Sequence, residues 1–152
     1  MLWHTLLQPI NIRSFNPKNA MKKVKVNIER ELRSNSPNNI WNLISTDTGL
    51  AKWVADYVME IDGTFTFRWG EEWSHHEIRR AQVVRRVRNE YVRLKWEDDT
   101  DKDAFLEFRM IYSELTDDYI LCVTDFALAD ETDSLEMMWE QNFDRLRHSS
   151  GL

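Results

Sequence analysis

The final helix constrains this fold more than any other segment. Between Asp133 and His148, the residues Leu135, Met138, Trp139, Phe143 and Leu146 recur on one stripe of a 3.6-residue repeat. Glu136, Glu140, Asp144, Arg145 and Arg147 fall mostly elsewhere. Such a stripe has to be buried against another element. From Met59 to Phe126 the chain reads as successive antiparallel strands, so that element is a sheet. A long helix laid on a curved sheet can enclose space. That space either is a hollow that receives a ligand or is filled by side chains.

The rest of the chain supplies the sheet. Val24, Val26, Ile28 and Leu32 alternate with polar neighbours, as in a half-buried strand. Ser36 is a good N-cap and Pro37 suits a first helical position, opening a short helix that turns Ile40, Trp41 and Ile44 inward. Thr46 or Asp47 caps a second short turn that holds Leu50 and Trp53, with Gly49 in its middle. Asp62-Gly63 joins Val58–Ile61 to Thr64–Trp69 and predicts a two-residue hairpin, because both central residues of that turn need positive φ. Further strands are expected over Glu77–Arg88, Tyr91–Trp96, Ala104–Glu114 and Tyr119–Ala127, with a solvated acidic loop over Glu97–Asp103. Thr132 or Asp133 is the expected cap of the last helix. Short connections make the middle strands antiparallel neighbours. The predicted class is α+β: a coiled antiparallel sheet of about six or seven strands wrapped around a long C-terminal helix, with two short helices after the first strand.

A chain of 152 residues suits one domain with a sizeable core. Residues 1–20 differ from the rest, with two of the three prolines, three asparagines and no acidic residue. They are expected to be a mobile N-terminal extension, leaving 21–152 as the domain. A rival reading makes them an arm that covers a sheet edge with Ile10 and Ile12. The net charge of -6 argues against a general nucleic-acid binder. A single cysteine, Cys122, excludes an intrachain disulfide and suits a reducing compartment, so the expected location is cytoplasmic. No apolar run approaches the ~20 residues that span a bilayer, and Met1-Leu2-Trp3-His4 lacks the basic start of a secretory signal.

With these elements in order, the chain resembles the START-like superfamily, also called SRPBCC or Bet v 1-like, with its helix-grip fold. The resemblance rests on Ser36-Pro37-x-x-Ile40-Trp41, Thr46-Asp47-x-Gly49-Leu50-x-x-Trp53, Asp62-Gly63 with Phe65-x-Phe67-x-Trp69, and Trp139-x-x-x-Phe143-x-x-Leu146. It covers roughly residues 22–148. Within the superfamily it is nearest the branch named after the activator of the heat-shock chaperone ATPase. It implies the fold specifically and the function only broadly, because the superfamily spans lipid carriers, hormone receptors, cyclases, oxygenase subunits and co-chaperone domains. No constellation matching a cyclase or a metal-bearing oxygenase is found.

Three functions are open to such a chain. The first is non-enzymatic binding of a small hydrophobic or amphipathic ligand, lipid-like or aromatic, in a cavity between helix and sheet. Its expected lining is Phe65, Phe67, Trp69, Val92, Leu94, Trp96, Leu106, Phe108, Met110, Met138 and Trp139. The alternative is that these side chains simply fill the space, since burying one contributes ~1.5–3 kcal/mol. The second function is a protein-interaction module. Arg79, Arg80, Arg85, Arg86, Arg88, Arg93 and Lys95 would lie on an outer sheet face, and Arg85, Arg86 and Arg88 would dock an acidic partner. The third, an enzyme of unidentified reaction, has the least support. Cys122 reads as an inert strand residue, and no motif positions a serine for attack. His75, His76 and Glu77 offer two ligands on one face, short of a zinc site, so neither metal nor cofactor is expected. Asp56 and Asp125 stand beside apolar residues, either as turn or surface residues or as groups that meet a ligand's polar head.

Overall fold

The computed structural model describes residues 22–152. The extension expected over residues 1–20, and the edge-covering role of Ile10 and Ile12, lie outside them. In chain order the elements are β1 (Val24–Glu31), α1 (Pro37–Ser45), α2 (Asp47–Leu50), β2 (Tyr57–Ile61), β3 (Thr64–Trp69), β4 (Glu77–Val87), β5 (Tyr91–Trp96), β6 (Leu106–Ser113), β7 (Asp118–Ala127) and α3 (Thr132–Ser150). Among the described residues the seven strands form one antiparallel sheet in the order β1-β7-β6-β5-β4-β3-β2. Strands β2 to β7 are a meander; only the β1–β7 pairing joins distant parts of the chain.

Local chemistry accounts for the turns and caps. Asp62 and Gly63 both have positive φ, at 49° and 80°, which closes the β2–β3 hairpin. Asn89, at φ 61°, turns β4 into β5. Pro37 opens α1 and Thr46 caps α2, its hydroxyl accepting from the Gly49 N–H at 3.0 Å. The start of α3 departs from expectation: Glu131 is its N-cap, without a side-chain bond, and the Thr132 hydroxyl donates instead to the carbonyl of Ala129. Gly151 ends α3 in the left-handed region, its N–H donating to the Arg147 carbonyl at 2.8 Å.

Register decides which side chains face α3. One inward row runs Val92–Phe108–Val123–Ile28 across β5, β6, β7 and β1. A second pairs Phe65 with Ala81 and Ala81 with Trp96. The buried stripe of α3 is Leu135, Met138, Trp139, Phe143 and Leu146, the residues the helical repeat selects. The backbone of α3 lies against β1 and β7. Arg30 ties it there, donating to Glu140 at 2.7 Å and Asp144 at 3.2 Å while its guanidinium lies over the Phe143 ring.

Aromatic rings fill most of the grip. Trp53 is fully buried and stacks on Phe143 at 5.9 Å, with its edge toward Phe108 at 5.3 Å and Trp139 at 6.0 Å. Its Nε1 donates to the Leu43 carbonyl at 2.9 Å. Phe67 packs between Phe65, Trp69 and Trp96.

Candidate functional site

Toward the far side of α3 from β1, the filling thins. There Val54, Trp69, Trp96, Met138, Trp139 and Asn142 line a narrow crevice with no room for a water molecule. Ligand pockets are commonly of order 300–1,000 Å³, so this space is a seam rather than a preformed hollow. Its walls are built locally. Trp69 ends β3 and is anchored by its Nε1, which donates to the Val54 carbonyl at 2.9 Å. Trp96 ends β5 on the same inward face. Met138, Trp139 and Asn142 share one face of α3.

The structure thus brings Trp69, Trp96, Met138 and Trp139 together at one seam. Phe65, Phe67 and Phe108 are wholly buried in the packed core, and Met110 is buried farther along β6. Val54 and Asn142 were not singled out from the sequence. Asn142 was within reach, since it follows Met138 at helical spacing; Val54 is placed only by the chain's path after α2.

Behind Trp139 stands a carboxylate. Asp125 faces inward from β7 and is 3% exposed, so it is neither a turn nor a surface residue. Its Oδ2 accepts from Trp139 Nε1 at 2.9 Å, and its Oδ1 from the Phe126 N–H at 2.8 Å. Burial pushes its pKa up to about 6, and the Trp139 bond offsets only part of that rise. The folded-state pKa therefore exceeds the unfolded one. The stabilisation belongs to the protonated form and is lost as pH climbs from about 4 through about 6. We expect stability to fall by roughly 1–2 kcal/mol between pH 5 and pH 7, measured against Asp125→Asn. Urea midpoints at several pH values check this; parallel curves for the two proteins would refute it.

The charged residues differ from expectation in three places. Arg79 does not lie on the outer face: register turns it inward opposite Phe67, where its guanidinium stacks 4.0 Å above Trp96. The acidic loop is not simply solvated. Arg79 grips Asp98 with two hydrogen bonds, at 2.8 and 2.6 Å. Burial alone would raise the Asp98 carboxyl, but those bonds outweigh it and hold the group below its ordinary range. Asp99, its side chain 5% exposed, pairs with Lys23 at 3.0 Å, while Lys95 donates to the Asp101 and Ala104 carbonyls. Lastly, strand alternation splits the arginine set, and a register shift between Val83 and Arg85 decides which member turns inward. Arg85 falls opposite Arg93 on the outer face, and Arg86 opposite Val92 on the inner one, where it pairs with Glu60 at 2.8 Å. Arg88 lies beyond β4, exposed.

Elsewhere, Asp56 is half-exposed, accepting from the Gly70 N–H and pairing with Arg145. Cys122 is half-buried on the outer face, where burial pushes its thiol up. Among the described residues no three His, Cys, Asp or Glu side chains stand close enough to hold a metal ion. An open groove of about 700 Å³ between α1, α2 and the end of α3 is lined mainly by the amides and hydroxyls of Asn39, Asn42, Thr46, Thr48, Ser149 and Ser150.

Comparison with known proteins bears on the same features. The profile of the START-like superfamily domain matches residues 20–151. A Bacteroides fragilis protein solved by solution NMR is 41% identical, with 84% of this chain and 91% of that one covered and a TM-score of 0.57. The Aha1 dimer of Colwellia psychrerythraea is similar at 16% identity and TM-score 0.65, covering 84% of this chain and 98% of that one. A Staphylococcus aureus protein of unknown function matches at 16% identity and TM-score 0.65, over 84% and 93%. At 16% the likeness concerns the fold alone. No curated protein matches this chain.

Proposed function

The chain belongs to the START-like superfamily, and from that premise we propose that it binds a small apolar or amphipathic molecule without transforming it. Such folds commonly take hydrophobic ligands. The crevice beside Trp69, Trp96, Met138 and Trp139 is the entry point. The observation that carries this reading is the asymmetry of α3: its backbone is seated on β1 and β7, whereas toward β3 and β5 the side chains of Trp69, Trp96, Met138 and Trp139 meet at the crevice. Side chains change rotamer far more readily than packed backbones separate, so the ligand opens this seam and desolvates against its rings.

The seam predicts where binding can be blocked. Asn142 is partly exposed at the rim, so Asn142→Trp is expected to cover the crevice at little cost in stability. Affinity for short-chain amphiphiles should drop by about tenfold or more, the value of one lost apolar contact region. Native mass spectrometry of gently purified protein, with thermal shift across lipid and aromatic panels, checks both binding and blockade. Protein that is always empty and never shifts would end this reading.

A protein-docking role would rest on Arg85 and Arg88, since Arg86 is turned inward to Glu60. Reversing Arg85 and Arg88 to glutamate leaves small-molecule binding intact under the reading preferred here. No helix among the described residues is long and apolar enough to cross a membrane.

A further inference from the structure

One carboxylate behind the crevice has no ion-pair partner among the described residues. Arg79 is bound to Asp98 and Lys23 to Asp99, and both cations act on Asp125 only from beyond ion-pair distance. Among the described residues Asp125 accepts two hydrogen bonds, both from neutral N–H groups. Among the described residues no cation stands within ion-pair distance of it. An ionised carboxylate sealed in an apolar interior is costly unless a cation joins it. A carboxylate has about four lone-pair sites, so these two bonds leave acceptor capacity for another donor.

Trp139 links this anion to the crevice. Its ring forms part of the crevice wall while its Nε1 holds Asp125. A ligand that shifts Trp139 to enter therefore uncovers the carboxylate. The Trp139 ring favours the same partner, since its face carries the negative side of the ring quadrupole, which attracts cations; the Trp96 ring already carries Arg79. An anionic head group would meet Asp125 as a like charge and be excluded.

We propose that the ligand of this crevice carries a protonated amine on an apolar body, with the ammonium group received by the Asp125 carboxylate. The inference rests on the small-molecule reading above and adds the chemical class of the head group.

A matched series tests it: octylamine, octanol and octanoate share one tail and differ in head-group charge. By calorimetry at pH 7.5, octylamine should bind about tenfold or more tighter than octanol, the scale of one charge-assisted hydrogen bond, with octanoate weakest. Asp125→Asn should bring octylamine to within about twofold of octanol. Should that variant fold poorly, the unmodified protein still decides: the side-chain carboxyl carbon of Asp125 should shift in NMR with octylamine and stay put with octanol. Equal binding of amine and alcohol, or an amine preference that survives Asp125→Asn, overturns the inference and leaves the crevice as a binding site. If no member of the series binds, the small-molecule reading falls with it.

Discussion

Gly49→Ala is expected to destabilise the protein by about 4 kcal/mol, beyond the usual 1–3 kcal/mol of core overpacking. Helix propensity gives the opposite sign, since alanine is favoured over glycine by about 1 kcal/mol inside a helix. Geometry decides between them. A Cβ on Gly49 would lie 1.9 Å from the Asn42 carbonyl oxygen, 2.7 Å from the Leu43 Cα and 2.8 Å from the Asn42 carbonyl carbon. All three are backbone atoms of α1, so no side-chain rotation relieves the clash. Relief requires α2 to lift off α1, and α2 carries Leu50 and leads into Trp53, both fully buried. Urea unfolding of Gly49→Ala beside an exposed control, Thr48→Ala, reads the effect. A midpoint for Gly49→Ala at or above that of the unchanged protein would mean that the two helices do not meet this closely.

Trp53→Ala should cost about 4–5 kcal/mol, the upper part of the range for deleting a buried aromatic. The ring is the point where three elements meet: Phe143 and Trp139 from α3, Phe108 from β6, and the Leu43 carbonyl from α1. Removing it leaves a void bounded by rings that cannot all collapse inward, because each is pinned by its own element. Trp53→Phe separates packing from the polar term. It keeps most of the stacking on Phe143 and forfeits the hydrogen bond to Leu43, so its cost should be about 1–2 kcal/mol. Denaturant midpoints give the energies. Near-ultraviolet circular dichroism should lose much of its aromatic signal in Trp53→Ala. A cost below that of Trp53→Phe would show that the cluster is not organised around this residue.

Much of the fold was legible because its signals are local. The 3.6-residue stripe of α3, the period-2 rows of β3 and β5, and the Asp62-Gly63 turn each depend on residues close in sequence. Thr46 was identifiable as a cap for the same reason. The candidate site was less legible. Placing all the β4 arginines on one outer face overlooks alternation: Arg79 and Arg80 are neighbours, and pairing with Phe67 turns Arg79 inward. The bulge after Val83 then reverses the alternation, so that Arg86 rather than Arg85 faces inward. A bulge shifts every later side chain to the opposite face, and no single residue here announces it. Asp125 read as a surface residue because carboxylates seldom sit fully buried, and its partner Trp139 lies 14 residues away on another element.

What the sequence determined by itself was the set of elements, their order and which stripe of the last helix must be covered, since periodicity and turn chemistry act over a few neighbouring residues. Tertiary structure alone decided that Trp53 fills the grip, that Gly49 lets α1 and α2 touch, and that Asp125 is buried behind Trp139. Those outcomes depend on side-chain volumes and charges meeting across elements far apart in the chain. Close packing and burial energies are properties of that meeting, not of any one segment.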